Sequence, residues 1–523
     1  MVDSVQIDKS VIRFESLPKQ FTEITAIDDK TETIYVQKST MGDPLFMSWM
    51  REVRSGGFKV QAVVVGLDQI SKLRDAGHRI ETDVDKDQKF KKWATDIIVK
   101  ASEYQCSDIH FMMRGAYTEI QFTINGGLRS YQTVKQEDGM SLTRAIFQGL
   151  AKVRSASFQP LEYQDAQIAG EDLPSSAGLT SVRIVRGPCY PTEKEGGFMT
   201  LRLQYSGART KSPEFLPPLP LPRFPDGDLK LETMGYTPEQ VANLTRLFDS
   251  PNGLVIFTGP TGSGKTTSMY ECLQETARQK PYRRLVTAED PVEYPMPWAV
   301  QLSITDGKND KEKGEAFSER IRTMLRMAPK VILLGELRGP EVSSSALEAA
   351  LTGHLVITTL HVTDPFLFVE RLEMMDPDRL NRKVFCDHKI VRGVVGQRLV
   401  PKLCKKCSIP LEAAKEKLSP QKIKDLSTWG PLDYVRLQGD GCEECGMSGS
   451  IGRFAVAEII VTDQQLMSDF IHHGSDTARK NYRSRAENDR SMLETVIQHI
   501  LRGEVDPRRA EDEVDLIVPK DQE

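Results

Sequence analysis

From Gly259 to Thr266 the chain reads Gly259-Pro260-Thr261-Gly262-Ser263-Gly264-Lys265-Thr266, which satisfies the spacing G-x-x-x-x-G-K-[ST]. Residues of these types at this spacing bind the phosphates of a nucleotide. Glycines let backbone N–H groups close around a β-phosphate, Lys265 reaches the β and γ oxygens, and the Thr266 hydroxyl, followed by Thr267, is placed to ligate Mg²⁺. The helix that must start here adds the positive end of its dipole. Farther along, the apolar run Val331 to Leu334 ends on Gly335-Glu336, so Glu336 stands where phosphate-loop proteins coordinate Mg²⁺ through water. ATP with Mg²⁺ is the expected ligand.

A second constellation is Cys404-x-x-Cys407 and Cys442-x-x-Cys445, two knuckles separated by 34 residues. Four thiolates so spaced hold one tetrahedral Zn²⁺ at about 2.3 Å, and four sulfurs leave no position for substrate, so the ion is expected to be structural. Such binding is worth about 10 to 16 kcal/mol in zinc-finger peptides, enough to fold an insert with little core of its own. Cys106, Cys189, Cys272 and Cys386 lack this spacing and are expected as small apolar residues.

These groups need elements to position them. The apolar run Leu254 to Thr258 reads as the strand before the phosphate loop and Gly264 to Arg278 as the helix after it. Arg284 to Ala288, Val331 to Gly335 and Leu355 to Thr359 read as further strands, and Glu341 to Leu351 as a helix. Short β-branched strands alternating with helices predict an α/β domain with a largely parallel sheet covered on both faces. Asp364 to Val400 and Asp463 to Gly503 read as helical, and Glu504 to Glu523 as a charged, loosely held tail.

Upstream, six prolines between Ser212 and Pro225 predict an extended connector. Before it come a helix-like stretch from Trp93, an alternating run from Thr118 to Ile124 and the turn Asn125-Gly126-Gly127. A second helix from about Met140 to Val153 and strands at Thr180 to Val185 and Phe198 to Leu203 complete an α+β domain ending near Tyr205. Residues 1 to about 90 mix short β-like runs such as Gln61 to Gly66 with charged stretches and carry no chemistry that can be placed.

A chain of 523 residues, 39% hydrophobic and 27% charged, has apolar material for several cores and is expected to be soluble and globular. Sixty-nine Lys and Arg against 74 Asp and Glu give a formal charge of -5, which supplies no global basic field for holding nucleic acid. Met1 to Ser10 has no signal-peptide pattern, and no apolar run approaches the roughly 18 residues of a membrane span.

Three further boxes, with the phosphate loop, make roughly residues 95 to 500 resemble the secretion ATPase superfamily, the hexameric motors of type II secretion and type IV pilus biogenesis. Thr287-Ala288-Glu289-Asp290-Pro291-Val292-Glu293-Tyr294 resembles the aspartate box, and Gly335-Glu336-Leu337-Arg338 the second nucleotide motif. Thr352-Gly353-His354 through Thr359-Leu360-His361 resembles the histidine box. The resemblance implies that Glu293 orients the attacking water and accepts its proton, with Glu289 and Asp290 tuning it. It implies that His354 and His361 report the state of the γ-phosphate. The segment Cys106-Ser107-Asp108-Ile109-His110 matches the family's PAS-like N-terminal domain, from which Arg183 and Arg202 are implied to reach the nucleotide. The chain departs from the pattern at Asn125-Gly126 (usually D-G), Gln167 (an arginine), Ala328 and Lys330 (an acidic pair) and Gly339 (an aspartate).

The resemblance thus implies a P-loop RecA-like ATPase domain over residues 231–400, a PAS-like α+β domain over 93–205 and a tetracysteine zinc-binding insert over 401–452. A divergent region (1–92) that could dock to a platform protein, a Pro-rich linker (206–230), a C-terminal helical region (453–503) and a charged tail (504–523) complete the expected organisation. The implied function is a homohexameric cytoplasmic ATPase, held at the inner membrane through a platform protein. It would drive assembly of a type IV pilus or a type II secretion pseudopilus, with no direct nucleic acid. The tetracysteine insert favours assembly or secretion over retraction. Two alternatives stand beside this: a P-loop nucleic-acid motor or zinc-ribbon nucleic-acid-binding protein, and a scaffold that binds ATP without turnover. The acidic balance and the lack of an aromatic-plus-basic channel count against the first; single-turnover hydrolysis separates the second.

Overall fold

The computed structural model describes residues 17, 19–21, 24–28, 33–55, 60–77, 83–207, 216–225, 227, 229–304 and 310–523. Met1 to Ser10, and Ser212 and Pro213 of the predicted connector, lie outside the described residues. The chain folds as two compact units, residues 1–96 and 97–523.

In the first unit β1 (Thr25–Asp28), β2 (Thr33–Val36) and β3 (Gln61–Val64) form a sheet in that order, β1 antiparallel and β3 parallel to β2. A parallel step needs a crossover. The helix Pro44–Ser55 supplies it, and its Phe46, Trp49 and Met50 bury with Ile34 and Val36. The helix Asp83–Glu103 spans the division between the units. It starts well before Trp93 because its first turns are rich in Asp and Lys: the acidic residues suit a helix N-terminus and Lys is a good helix former, but neither carries an apolar period.

The second unit opens with an antiparallel sheet of β4 (Asp108–Met113), β5 (Tyr117–Ile124), β6 (Gly127–Lys135), β7 (Val153–Arg154), β8 (Gln164–Ala169), β9 (Leu179–Pro188) and β10 (Gly197–Tyr205). Their order is β6-β5-β4-β10-β9-β8-β7. β5 and β6 meet at Asn125-Gly126, whose φ values of 50° and 78° give the left-handed pair that a two-residue hairpin turn requires. Residues 216–225 of the connector have no regular secondary structure, and Pro217 and Pro220 accept hydrogen bonds from Tyr104 Oη (2.9 Å) and Ser130 N (2.8 Å).

The nucleotide-type motifs lie on the next sheet. It contains β11 (Gly253–Thr258), β12 (Leu285–Glu289), β13 (Val300–Ser303), β14 (Val331–Leu334), β15 (Leu355–Leu360) and β16 (Val391–Leu403), all parallel. A short hairpin of β17 (Ile409–Pro410) and β18 (Arg436–Leu437) stands apart from it. β19 (Ser450–Val461) completes the sheet antiparallel to β16, in the order β13-β12-β14-β15-β11-β16-β19. Every residue of β11, β12, β14 and β15 is buried, as expected for a parallel sheet covered on both faces.

Two sequence expectations need correction here. Asp364 to Val400 is not helical throughout, because Val391 onward is the long strand β16. A buried apolar run has no period that separates strand from helix, and tertiary pairing with β11 and β19 decides the matter. The insert packs into a shared core: its Leu411, Leu426, Trp429 and Leu437 cluster with Val496, Ile497 and Ile500 of the helix Met492–Leu501. The tail is not loose. Val505 and Ala510 are fully buried, the segment forms the helix Pro507–Glu513, and Trp429 Nε1 donates to Val518 O at 2.8 Å.

The phosphate loop follows β11 and is held from behind by β16. Gly259 has φ 140°, and a Cβ there would lie 2.4 Å from Gln397 O, so neither the backbone angle nor the space admits another residue. Gln397, fully buried, donates from Nε2 to Ser263 O at 2.8 Å and accepts from Tyr236 Oη at 2.6 Å. Tyr236 Oη also reaches Ser268 Oγ at 3.0 Å, on the helix Lys265–Gln279 that the loop opens. Replacing Gln397 by Leu leaves a buried carbonyl without its donor, at about 1 to 3 kcal/mol. Urea unfolding should register that loss, and ATP titration should show affinity weakened about tenfold, the equivalent of about 1.4 kcal/mol. Unchanged stability and affinity would mean that the loop keeps its shape unaided.

Candidate functional site

The phosphate loop, the turn after β12 and the C-terminal ends of β14 and β15 meet around a cavity of about 530 Å³. Parallel strands place all their C-terminal ends on one edge, which is why boxes separated by up to a hundred residues arrive together. Thr261, Gly262, Lys265 and Thr266 form one wall; Glu289, Asp290 and Glu293 form another, and Glu336, Arg338 and His361 complete it.

Lys265 is 7% exposed, and its Nζ donates to Gly259 O at 2.9 Å and Pro260 O at 2.8 Å. Burial pushes its ammonium below the ordinary lysine range, and the fields of Glu336 and Glu293 offset part of this. Ser263 Oγ is buried without a hydrogen-bond partner in the same loop. A buried cation and an unsatisfied hydroxyl beside glycine backbone form a cradle whose chemistry fits phosphate oxygens. Thr266 and Glu336 offer the hard oxygen ligands that Mg²⁺ takes.

The carboxylates differ by surroundings. Glu289 is 5% exposed and fully engaged: it accepts from Thr287 Oγ1 at 2.5 Å, from Gln301 Nε2 at 3.1 Å and from the Glu293 backbone N–H. Burial pushes its carboxyl up, and the Thr287 and Gln301 hydrogen bonds pull against that. Gln301 also donates to Tyr294 O at 2.9 Å and accepts from Met296 N at 2.6 Å, so it ties down the whole turn that carries Glu293. Glu293 itself is exposed to the cavity and makes no ion pair or side-chain hydrogen bond among the described residues. Asp290 is occupied by Lys313 Nζ at 3.0 Å and Arg338 Nη1 at 3.1 Å. Glu336 accepts from Arg338 Nε at 2.7 Å, with His361 Nε2 at 3.5 Å from its other oxygen.

The sequence-derived residues therefore divide. The phosphate loop, Glu293, Glu336 and His361 share one cavity, with Thr267 just behind, its Oγ1 at 3.0 Å from Tyr294 Oη. His354 is at the other end of β15, about 20 Å away by strand rise, with Nδ1 at 3.0 Å from Ala349 O. Arg183 and Arg202 sit opposite one another on β9 and β10 and line a separate cavity of about 510 Å³ with Arg154 and Arg326. Sequence reasoning missed Gln397, Tyr236 and Gln301, whose hydrogen bonds shape the site. It also assigned no role to Arg338, although Arg338 was quoted in its motif and bridges Asp290 and Glu336. No local spacing signals the first three.

The four cysteine sulfurs all lie within 4.8 Å of one another. Cys404 to Cys442 is 3.7 Å, Cys407 to Cys445 is 3.8 Å and Cys442 to Cys445 is 3.8 Å. A tetrahedron with metal–sulfur bonds of about 2.3 Å has edges of about 3.8 Å, so the donor set fits Zn²⁺. Burial opposes ionisation of both Cys407 and Cys445, and the neighbouring sulfurs push Cys407 up further, whereas N–H groups of Cys442 and Gly449 donate to the Cys445 sulfur at 3.2 Å each and help bring that thiol down to about 6. That favours the thiolate a metal needs.

Among the described residues, no helix is long and apolar enough to cross a membrane. Residues 225–514 match the family described as Type II/IV secretion system protein. The chain is 28% identical over 428 residues to the type IV pilus assembly ATPase PilB of Thermus thermophilus, covering 81% of this chain and 42% of that protein. It is 34% identical over 258 residues to the type II secretion system ATPase E of Vibrio cholerae, covering 49% of this chain and 48% of that one. It is 30% identical over 386 residues to the protein transport protein HofB homolog of Escherichia coli, covering 73% of each. The chain thus spans about half or less of the length of the first two relatives. With a phosphate loop, an aspartate-box turn and a second nucleotide motif gathered at one edge of a parallel sheet, and a family match over more than half of its length, the chain belongs to the type II/IV secretion system protein family.

Proposed function

We propose that the chain hydrolyses ATP at this cavity and, as a homohexamer at the cytoplasmic face of the inner membrane, couples hydrolysis to extrusion of pilin or pseudopilin subunits through a platform protein. The observation that carries the enzymatic part is the contrast between two carboxylates on one turn. Glu289 is buried and saturated with donors, while Glu293 is unpaired and faces the cavity that holds Lys265. A saturated carboxylate can hold a loop; an unpaired one can take a proton.

In this reading the glycine backbone and Lys265 hold the β- and γ-phosphates of ATP, and Thr266 with Glu336 would hold Mg²⁺, which supplies charge neutralisation across the phosphates. Glu293 orients a water in line with the γ-phosphorus. The water oxygen bonds to phosphorus, the bond to the β–γ bridging oxygen breaks, the water proton passes to Glu293, and ADP and phosphate leave. His361, against Glu336, is placed to register loss of the γ-phosphate. Arg183, Arg202 and His354 do not line this cavity, so any contact of theirs with nucleotide would require a rearrangement or a neighbouring subunit in the ring. We assign the tetracysteine cluster a structural Zn²⁺.

Glu293→Gln keeps side-chain volume but removes basicity. ATP should bind as in the parent protein while turnover falls by roughly 10² to 10⁴, the usual contribution of general acid–base catalysis. Glu289→Gln should cost less turnover and some stability, since a buried acceptor of three hydrogen bonds is altered. Steady-state hydrolysis and ATP affinity for the two variants decide the matter: a fully active Glu293→Gln beside an inactive Glu289→Gln reverses the assignment.

Replacing Cys404 and Cys442 by Ser should release about one zinc per chain and loosen the insert. The parallel sheet, with its separate core, should stay folded. Elemental analysis and circular dichroism read both effects, and parent protein prepared without chelator that carries no zinc would refute the metal assignment.

A further inference from the structure

A second polar cavity, of about 350 Å³, lies at the opposite edge of the parallel sheet from the phosphate loop. Arg284, Lys330 and His354 immediately precede β12, β14 and β15, and they line it together with Asp108 of β4, Arg202 of β10 and Gly126 of the β5–β6 turn. The hydrolysis described above uses none of these residues.

The charges in this cavity do not balance. Arg284 is 3% exposed, its Nε has no hydrogen-bond partner, and Nη2 reaches only the weak acceptor Met112 Sδ at 3.5 Å. Lys330 is exposed to the cavity and has no ion pair among the described residues. The one carboxylate lining the cavity, Asp108, already accepts from Arg202 Nε at 2.9 Å. Arg284 and Lys330 therefore line the cavity beside an Arg202–Asp108 pair that is already satisfied. Asp108 and Glu119 act on Arg284 only through space, and a buried guanidinium with no hydrogen-bonded anion is costly; native proteins almost always pair such a group. Ala328 and Lys330 line the same cavity and bring it a methyl group and an ammonium, with no further carboxylate.

We propose that this cavity binds a small oxyanion of the phosphate class, held by Arg284 and Lys330 with Arg202 at its rim. Arginine's planar donors suit a tetrahedral oxyanion, and Lys330 adds a point charge. Burial, with the nearby Arg114, pushes Arg284 down to about 9 against the fields of Asp108 and Glu119, and an anion in the cavity would add to that upward pull.

The test is calorimetric titration of the full chain, saturated with ADP, with inorganic phosphate in one arm and ribose 5-phosphate in the other, which separates free phosphate from a phosphomonoester as the source of the group. At least one arm should show saturable binding. Ala328→Asp and Lys330→Asp should each weaken it at least about tenfold by setting a carboxylate against Arg284. Ala328 has φ 52°, a left-handed angle that aspartate tolerates well, and Lys330 is exposed, so both variants should fold; thermal unfolding checks this, and if one fails the other decides. Phosphate held at the phosphate loop would be indifferent to both substitutions, which lie at the far edge of the sheet. Absence of saturable binding in both arms, or equal affinity in parent and variants, overturns the proposal.

Discussion

Gly259, Gly262 and Gly264 all have positive φ, so the loop that would receive phosphate has unusual backbone freedom at the positions that must be most exactly placed. Fixing such a loop requires partners outside it. Gln397 supplies one hydrogen bond to the loop and shares another with Tyr236, and the β16 backbone sits so close to Gly259 that a single methyl group would collide with it. β16 is in turn held between β11 and β19. The ligand-binding geometry therefore depends on strand pairing that begins well over a hundred residues downstream of the loop.

Burial sorts the acidic groups at the site. Glu289, Asp290, Glu293 and Glu336 line one cavity, and the structure partners them unevenly. Arg338 and Lys313 neutralise Asp290, Arg338 also holds Glu336, and hydrogen-bond donors saturate Glu289. Glu293 is left unpaired. Its chemical freedom comes from the immobilisation of its neighbours, since Glu289 and Gln301 hold the turn on which it stands.

The same strand links the phosphate loop to the cysteine cluster. β16 carries Gln397 in its interior and ends at Leu403, beside Cys404, and the insert returns at Ser450, which pairs with Leu403. The insert is thus a long excursion between two paired strands, and strand pairing holds its two ends together before any metal is considered. Its hydrophobic contact with the helix Met492–Leu501 and with Ile517 makes the C-terminal segment part of its core.

The local motifs were legible in the sequence because their chemistry depends on short spacing. The phosphate loop, the box containing Glu293, the turn at Glu336 and the two cysteine pairs each lie within a few residues, and the alternation of strands and helices around them was enough to indicate a parallel sheet. The type of β16, the packing of the last twenty residues and the clamp through Gln397 were not legible, because each rests on contacts between distant segments; Gln397 and Ser263 are 134 residues apart. The histidine box shows the difference most clearly. Its spacing is intact in the sequence, yet a fully extended strand between His354 and His361 carries them to opposite edges of the sheet, one toward the phosphate loop and the other toward the cavity of Arg284. Spacing along the chain determined which groups were available, and the direction of the strands decided which of them could meet.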